Sequence, residues 1–490
     1  MTFKACVRCG QEEFLKEYFE TTSVSTIIRE SGFSFDMPCD GRGVCGNCAV
    51  IIEGCASDVN DDESLALGER LKLGYRLACF AKVSGDCVIT VPKSVSPDFK
   101  GDSSVRVKPD PISGDKPCFA CAVDVGTTTV ALRYFSLPDG KLIFGDSADN
   151  PQRIHGADVI SRIDGSSDKH KALSDMINRA LADSAKRFGK EIEFYVIAAN
   201  TIMLHFLAGF DPSDIATAPF TPKSLFGNMI GNRYYMRCAD AYIGGDAIAS
   251  VIQSGMLDFD EPAVLLDVGT NNECFLWDGK RLYGCSTPAG PAFEGASISC
   301  GMPARGGAIC KIDEADGEIS ITTVDENAKA SGLCASGLID AIAYLLKNKY
   351  VAFDGSVIKP IPSFDGVTLK PEDIAELQLA KSAVCAGILT LIEHANLTPE
   401  SIKRLYVTGS FGRGLNVNNA ELIGLLPKGF ASLPYYAVEG AIGGASMALL
   451  SKNYLFESET IAEMTEVVEL ADSDCFAGLF IENMYFGECQ

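Results

Sequence analysis

Positive charge is scarce in this chain. Across 490 residues, 42 lysines and arginines stand against 65 aspartates and glutamates, a formal net charge of −23. Nucleic-acid binding draws its affinity from basic patches that displace counterions from phosphate, so this balance argues against such a partner and fits a small molecule or a protein. Long apolar runs are missing as well. Hydrophobic residues make up 47% of the chain, enough to bury about two to four cores, yet no uninterrupted stretch approaches the roughly 18 residues of a membrane span. The first residues, MTFKACVRCGQEEF, contain no apolar segment of the kind a secretory signal needs. The expectation is a cytoplasmic protein with no membrane association. Only four histidines occur, and His155 and His205 each stand in a mixed apolar context without a ligand partner. Core or helix-surface roles are expected for both.

Cysteine, by contrast, is abundant. Nineteen cysteines in a chain of this kind read as reduced thiols rather than disulfides and suggest a low-oxygen setting. Four stand out: Cys39, Cys45 and Cys48 in PCDGRGVCGNCAV (38–50), and Cys79 in YRLACFAKVSGDCVITVP (75–92). Three sulfurs in a glycine-rich loop and a fourth some thirty residues later describe the ligand set of a plant-type [2Fe–2S] cluster. The first gap, C-x5-C, is one residue longer than the plant-type C-x4-C. Zinc is the alternative, since four cysteines also suit a tetrahedral ion. Zinc sites usually pair two short knuckles, however, and Cys79 has no close cysteine partner; Cys87 is eight residues on. The alternation in CVITVP (87–92) reads as a strand closing a β-grasp domain. Cys6-x2-Cys9 has no second pair nearby, and Cys118-x2-Cys121 precedes an apolar strand; both spacings read as structural.

Residues 1–94 therefore form a ferredoxin-like domain. Residues 95–117, rich in Ser, Asp, Gly and Pro, read as a flexible linker. From 118 to 490, apolar strands alternate with helical periodicity, an α/β pattern divided at about 260 into subdomains 118–260 and 261–490. FYVIAAN (194–200), AVLLDVG (263–269) and RLYVTGS (404–410) read as buried strands. DMINRALADSAKRFG (175–189) and ELQLAKSAVCAGILTLIEHA (376–395) read as helices.

The chemistry of the large domain is written twice. AVDVGTTTVALRYF (122–135) and LLDVGTNNECFLW (265–277) both run apolar strand, D-V-G-T, small polar residues, second strand. Gly126 and Gly269 let backbone N–H groups approach an anion, and Thr127, Thr128 and Thr129 or Thr270, Asn271 and Asn272 add donors. Such concavities bind phosphate. Asp124 and Asp267 are placed to hold Mg²⁺ through water and to orient an attacking water. A third loop, VTGSFGRGLN (407–416), carries Gly409, Gly412 and Gly414 and suits close packing against adenine and ribose. AIGGASMALLS (441–451) then opens a helix with Gly443 and Gly444. One D-x-G-T arises from any tight hairpin; two copies 143 residues apart imply duplicated halves facing across a cleft. The trio resembles the acetate and sugar kinase, heat-shock chaperone and actin (ASKHA) superfamily, whose two subdomains close around ATP.

A ferredoxin domain ahead of that architecture resembles the reductive activators of corrinoid-dependent enzymes. The resemblance runs from about Met37 to Gly443. It includes NPQRIHGADVISRI (150–163), NTIMLHFLAG (200–209) with APF (218–220), GGDAIASVI (244–252), STPAGPAFEGASISCGMPARGGAI (286–309) and SGLCASGLIDAI (331–342). The segment ahead of the cluster loop is shorter than in many members, and the C-terminal [4Fe–4S] cysteines of some relatives are absent. The resemblance implies an ATP-hydrolysing activase that passes one electron from a [2Fe–2S] cluster to convert a corrinoid protein from Co(II) to Co(I) for methyl transfer. Its cofactors would be the cluster, ATP and Mg²⁺. Its partners would be the corrinoid protein of a methyltransferase system, a low-potential electron donor and a second copy in a homodimer. Two other readings stand beside it: an electron carrier whose ATPase-like domain only docks partners, and a redox-sensing metabolite kinase. In the loop 286–295, Ser286 is either a contact to the corrinoid or part of a turn packed on the second phosphate loop. Arg162 and Arg305 either meet phosphate or form ordinary salt bridges.

Overall fold

A computed structural model describes residues 2–9, 12–31, 48–60, 63–64, 67, 71, 74–91, 107–156, 159–163, 167–269, 272–315, 318–325, 328–471 and 473–487. The N-terminal sheet runs Glu12–Tyr18, Phe3–Cys9, Lys82–Thr90, Ala49–Ala56, Tyr75–Leu77, with Thr22–Ser23 added beside Lys82–Thr90. Alternation builds it: Phe3, Ala5 and Val7 point inward and are buried, as the two-residue side-chain period of a strand requires. The helix Val24–Ser31 presents Val24, Ile27 and Ile28 to that face, the i, i+3, i+4 spacing of one helical stripe. This is the expected β-grasp arrangement, and Lys82–Thr90 takes the closing-strand place assigned to CVITVP.

The expected linker is shorter than its composition suggests. Asp110 N–H donates to the Leu450 carbonyl at 2.8 Å and Lys452 N–H to the Asp110 carbonyl at 2.9 Å. Val107 packs on the core beneath. Residues 107–117 thus belong to the large domain, which corrects the C-terminal half of the 95–117 expectation; 92–106 lie outside the described residues.

The large domain holds two sheets of the same construction. Five strands of each match: Lys141–Asp149, Thr129–Leu137, Cys118–Val125, Phe194–Ala199, Arg233–Tyr235 in one and Leu282–Thr287, Asn272–Trp277, Ala263–Val268, Arg404–Thr408, Tyr435–Val438 in the other; a sixth strand, Asn228–Ile230, adds beside Arg233–Tyr235 in the first, and Thr465–Val467 beside Leu282–Thr287 in the second. In each set of five, the first three strands are antiparallel and the last two join in parallel. Helices Gly245–Ser254 and Ala441–Leu450 cross between the sheets and share one core with Ala120, Ala122, Leu265 and Phe275. The crossing is close enough that a Cβ on Gly444 would lie 1.9 Å from the Ala249 carbonyl oxygen. The expected helices appear as Ser167–Phe188 and Pro371–His394. The latter has the length and composition to cross a membrane but is mostly buried, covered by the helix Asp474–Glu482. The carboxyl ends of Cys118–Val125, Phe194–Ala199, Ala263–Val268 and Arg404–Thr408 meet at one cleft, the place where open parallel sheets bind ligands.

Candidate functional site

The first phosphate loop is held from behind. Asn150 Nδ2 donates to the Gly126 carbonyl at 2.8 Å, Arg162 Nη2 to the Thr127 carbonyl at 2.6 Å, and Asn150 N–H to the Thr128 carbonyl at 2.8 Å. In a planar trans peptide, C=O and the following N–H point in opposite directions. Tying back these three carbonyls therefore turns the N–H groups of Thr127, Thr128 and Thr129 the other way. Arg162 is fully buried, and its Nε also donates to the Gly156 carbonyl at 3.1 Å. It thereby holds the first loop from behind. Arg305 is half-buried in the turn before the strand Ala308–Ala315.

Behind the second loop, Asp267 accepts from Thr408 Oγ1 at 2.5 Å and from Ser250 Oγ at 2.9 Å. Asp246 opens the helix Gly245–Ser254. Gly244 lets that helix reach the strand end, because a Cβ there would lie 2.4 Å from Asn200 Cα. Asp124, Asp246 and Asp267 line the cleft yet are surrounded by protein. Burial raises the Asp124 carboxyl well above the usual range, with Asp246 and Asp267 adding to it. Burial also pushes Asp246 up to about 7, again with Asp267 contributing. For Asp267 burial raises the pKa while the Thr408 and Ser250 hydroxyls oppose it. Glu273 is raised by burial first and by Asp246 and Asp267 second. Such a set of mutually repelling carboxylates favours a bound cation, which fits Mg²⁺. Among the described residues no group of three His, Cys, Asp or Glu side chains is arranged to hold a metal ion directly.

Asp246 and Glu273 were not among the sequence candidates. The G-G-D string at 244–246 and the acid directly after the second loop were the available signals. Register adds a correction. Asp267 lies opposite Glu273, and Glu273 opposite Ser286, in a row across three strands. Asn272 pairs with Val268 and Thr287, which places its side chain on the other face, with Cys274 and Cys285. There it is fully buried, and neither amide atom has a hydrogen-bond partner among the described residues. Gly269 ends the described part of that loop; Thr270 and Asn271 lie outside the described residues.

In the third loop, Gly409 has φ +68° and open space where a Cβ would stand. Gly412 and Gly414 serve the protein itself: Cβ atoms there would lie 2.5 Å from the Val407 carbonyl oxygen and 3.2 Å from Ser336 Oγ. The expected open face toward adenine and ribose thus narrows to Gly409.

The loop 286–295 leaves the strand Leu282–Thr287 at the second hairpin and ends on the other two. Thr128 Oγ1 of the first phosphate loop donates to Glu294 Oε1 at 3.0 Å. Phe293 meets Phe411 of the third loop with ring centroids 6.0 Å apart.

In the N-terminal domain, Cys48 and Cys79 bring their sulfurs to 3.3 Å, close enough to share one metal centre. Glu63, almost fully buried, fixes the approach: it takes Arg76 at 2.9 and 3.0 Å and the Leu77 N–H at 2.7 Å, two residues before Cys79. Cys39 and Cys45 lie outside the described residues. Cys6 is on the outward face of its strand, and Cys121 is core. His205 is core too: its Nδ1–H donates to the Thr201 carbonyl at 2.6 Å.

Comparison with known proteins follows the same division. Residues 9–84 match the 2Fe-2S iron-sulfur cluster binding domain, 119–258 the RACo middle region, and 261–490 the C-terminal domain of RACo, the ASKHA domain. The corrinoid activation enzyme RamQ of Eubacterium limosum is 28% identical over 76% of this chain and 71% of its own length. The Co(II) methylated amine-specific corrinoid protein reductase of Methanosarcina barkeri is 23% identical over 73% of each. The solved structure of a reductive activator for corrinoid, iron-sulfur protein aligns with a TM-score of 0.68 at 24% identity, covering 100% of this chain and 99% of that one; it shares the fold. The chain is thus similar, in order, to a 2Fe-2S cluster binding domain, the RACo middle region and the ASKHA domain of RACo.

Proposed function

We propose that this homologue of the corrinoid reductive activators is an ATP-dependent reductase that returns the cobalt of a partner corrinoid protein from Co(II) to Co(I). The observation that carries the reading is the joining, in one chain, of a converging thiol pair, Cys48 and Cys79, to a cleft lined by Asp124, Asp246 and Asp267. A [2Fe–2S] cluster held by these cysteines with Cys39 and Cys45 supplies one electron when bound, from a potential of roughly −400 mV. Each further 100 mV uphill costs about 2.3 kcal/mol per electron, so reaching Co(I) calls for coupling to a favourable reaction. The cleft is suited to that. Thr127, Thr128 and Thr129 offer N–H groups to phosphate. The buried carboxylates would repel a bare triphosphate, so the nucleotide enters with Mg²⁺. Asp267, locked by Thr408 and Ser250, is oriented to align an attacking water. Ser286, in line with Asp267 and Glu273, begins the loop that would meet the corrinoid.

Paired variants test the division of labour. Cys79→Ser should abolish the visible absorbance of the cluster and leave ATP affinity within about twofold of wild type. Asp267→Ala should leave the spectrum intact and lower ATP hydrolysis by roughly a hundredfold or more. A Cys79→Ser protein with unchanged absorbance, or an Asp267→Ala protein with normal turnover, contradicts the assignment.

A further inference from the structure

The loop 286–295 is attached at both ends to the nucleotide cleft. At its start, Ser286 lies opposite Glu273 in register, with Asp267 next in the row. At its far end, in the short turn Ala292–Glu294, the Glu294 carboxylate accepts the Thr128 hydroxyl at 3.0 Å. Thr128 belongs to the loop whose N–H groups are turned toward the cleft. A phosphate seated there would compete for the Thr128 hydroxyl and would bring negative charge against the Glu294 carboxylate. The two cannot share the donor, and like charges at hydrogen-bonding range repel. The turn itself is tightly supported: a Cβ on Gly295 would lie 2.3 Å from Met302 N.

We propose that Glu294 is a positioning residue that reads the nucleotide: phosphate on the first loop displaces it from Thr128 and shifts the 286–295 loop toward the corrinoid partner. This rests on the functional reading above and deepens it, by assigning the link between nucleotide and partner site to the Thr128–Glu294 contact. ATP binding and partner engagement are then coupled by mutual exclusion at Thr128.

Hydrogen exchange on the full-length protein, with and without a non-hydrolysable ATP analogue and Mg²⁺, tests it. In wild type, exchange over 288–296 should rise at least about tenfold when nucleotide binds. Glu294→Gln keeps an oxygen for Thr128 but removes the charge. Without nucleotide its loop should exchange as in wild type, and its affinity for the analogue should be tighter by roughly fivefold, the size of one like-charge contact at near-water dielectric. Glu294→Ala should exchange rapidly whether or not nucleotide is present. Bound nucleotide with unchanged loop exchange in wild type, or both variants binding it no more tightly, overturns this inference alone. A wild-type protein that binds no nucleotide overturns the functional reading with it.

Discussion

Arg162 is the largest side chain that the described part of the fold buries completely, and its guanidinium ties the Thr127 carbonyl of the first phosphate loop to the Gly156 carbonyl. Replacing it by lysine keeps the charge and loses the fork that reaches Thr127 and Gly156 together. Arg162→Lys should weaken ATP binding roughly tenfold and cost about 2–3 kcal/mol of stability, read by calorimetry and by urea unfolding. Unchanged affinity would mean that the loop holds its shape without it. His205 gives a pH-dependent prediction. Burial holds its imidazole below the usual 6.5; Lys223 adds to that, while the Thr201 carbonyl and Asp211 oppose it. As pH falls through about 6.5 the unfolded chain takes up a proton that the folded chain resists, so stability falls with acidification. His205→Gln should flatten the stability–pH slope between pH 7 and 5 by up to about 1.4 kcal/mol per unit; an identical slope would contradict the burial argument. At this scale the sequence was only partly legible. Asp124 and Asp267 stand in repeated motifs and can be found by eye. Asp246 and Glu273 carry weaker signals, a G-G-D string and an acid just after the second loop, and their meeting at the cleft depends on where a helix start and a strand are brought in space.

At the scale of elements, the duplicated halves were readable because both hairpins carry the same D-V-G-T turn between apolar strands. The strand order that follows confirms two matched sheets. Register was not readable. The two hairpin loops differ in length: Val125 pairs with Val130, whereas Val268 pairs with Asn272. That single residue moves Asn272 from a presumed donor to the opposite face. Composition misled over the linker, where Pro and Asp between 107 and 117 serve a docked segment. The helix crossing at Gly443 and Gly444 offers a test of the shared core. Gly444→Ala puts a methyl group against the Ala249 carbonyl and should destabilise the large domain by about 2–3 kcal/mol, seen as a lower urea midpoint with the cluster absorbance retained. A neutral substitution would show that the two helices can separate freely.

For the whole molecule, the account is one of delivery under control. The N-terminal domain brings cysteines together with the help of a buried Glu63–Arg76 pair. The large domain gathers two phosphate loops, a third glycine loop and the 286–295 segment at a single cleft. The charge of −23 accords with a protein that meets another protein rather than nucleic acid. The central claim concerns electrons and is measured directly. A Co(II) corrinoid protein of a methyltransferase system should be mixed anaerobically with this protein and a low-potential reductant, and its absorbance followed before and after MgATP is added. The account predicts that Co(I) bands appear only when ATP is present and vanish again in the Asp267→Ala variant; Co(I) formed at the same rate without ATP would contradict it.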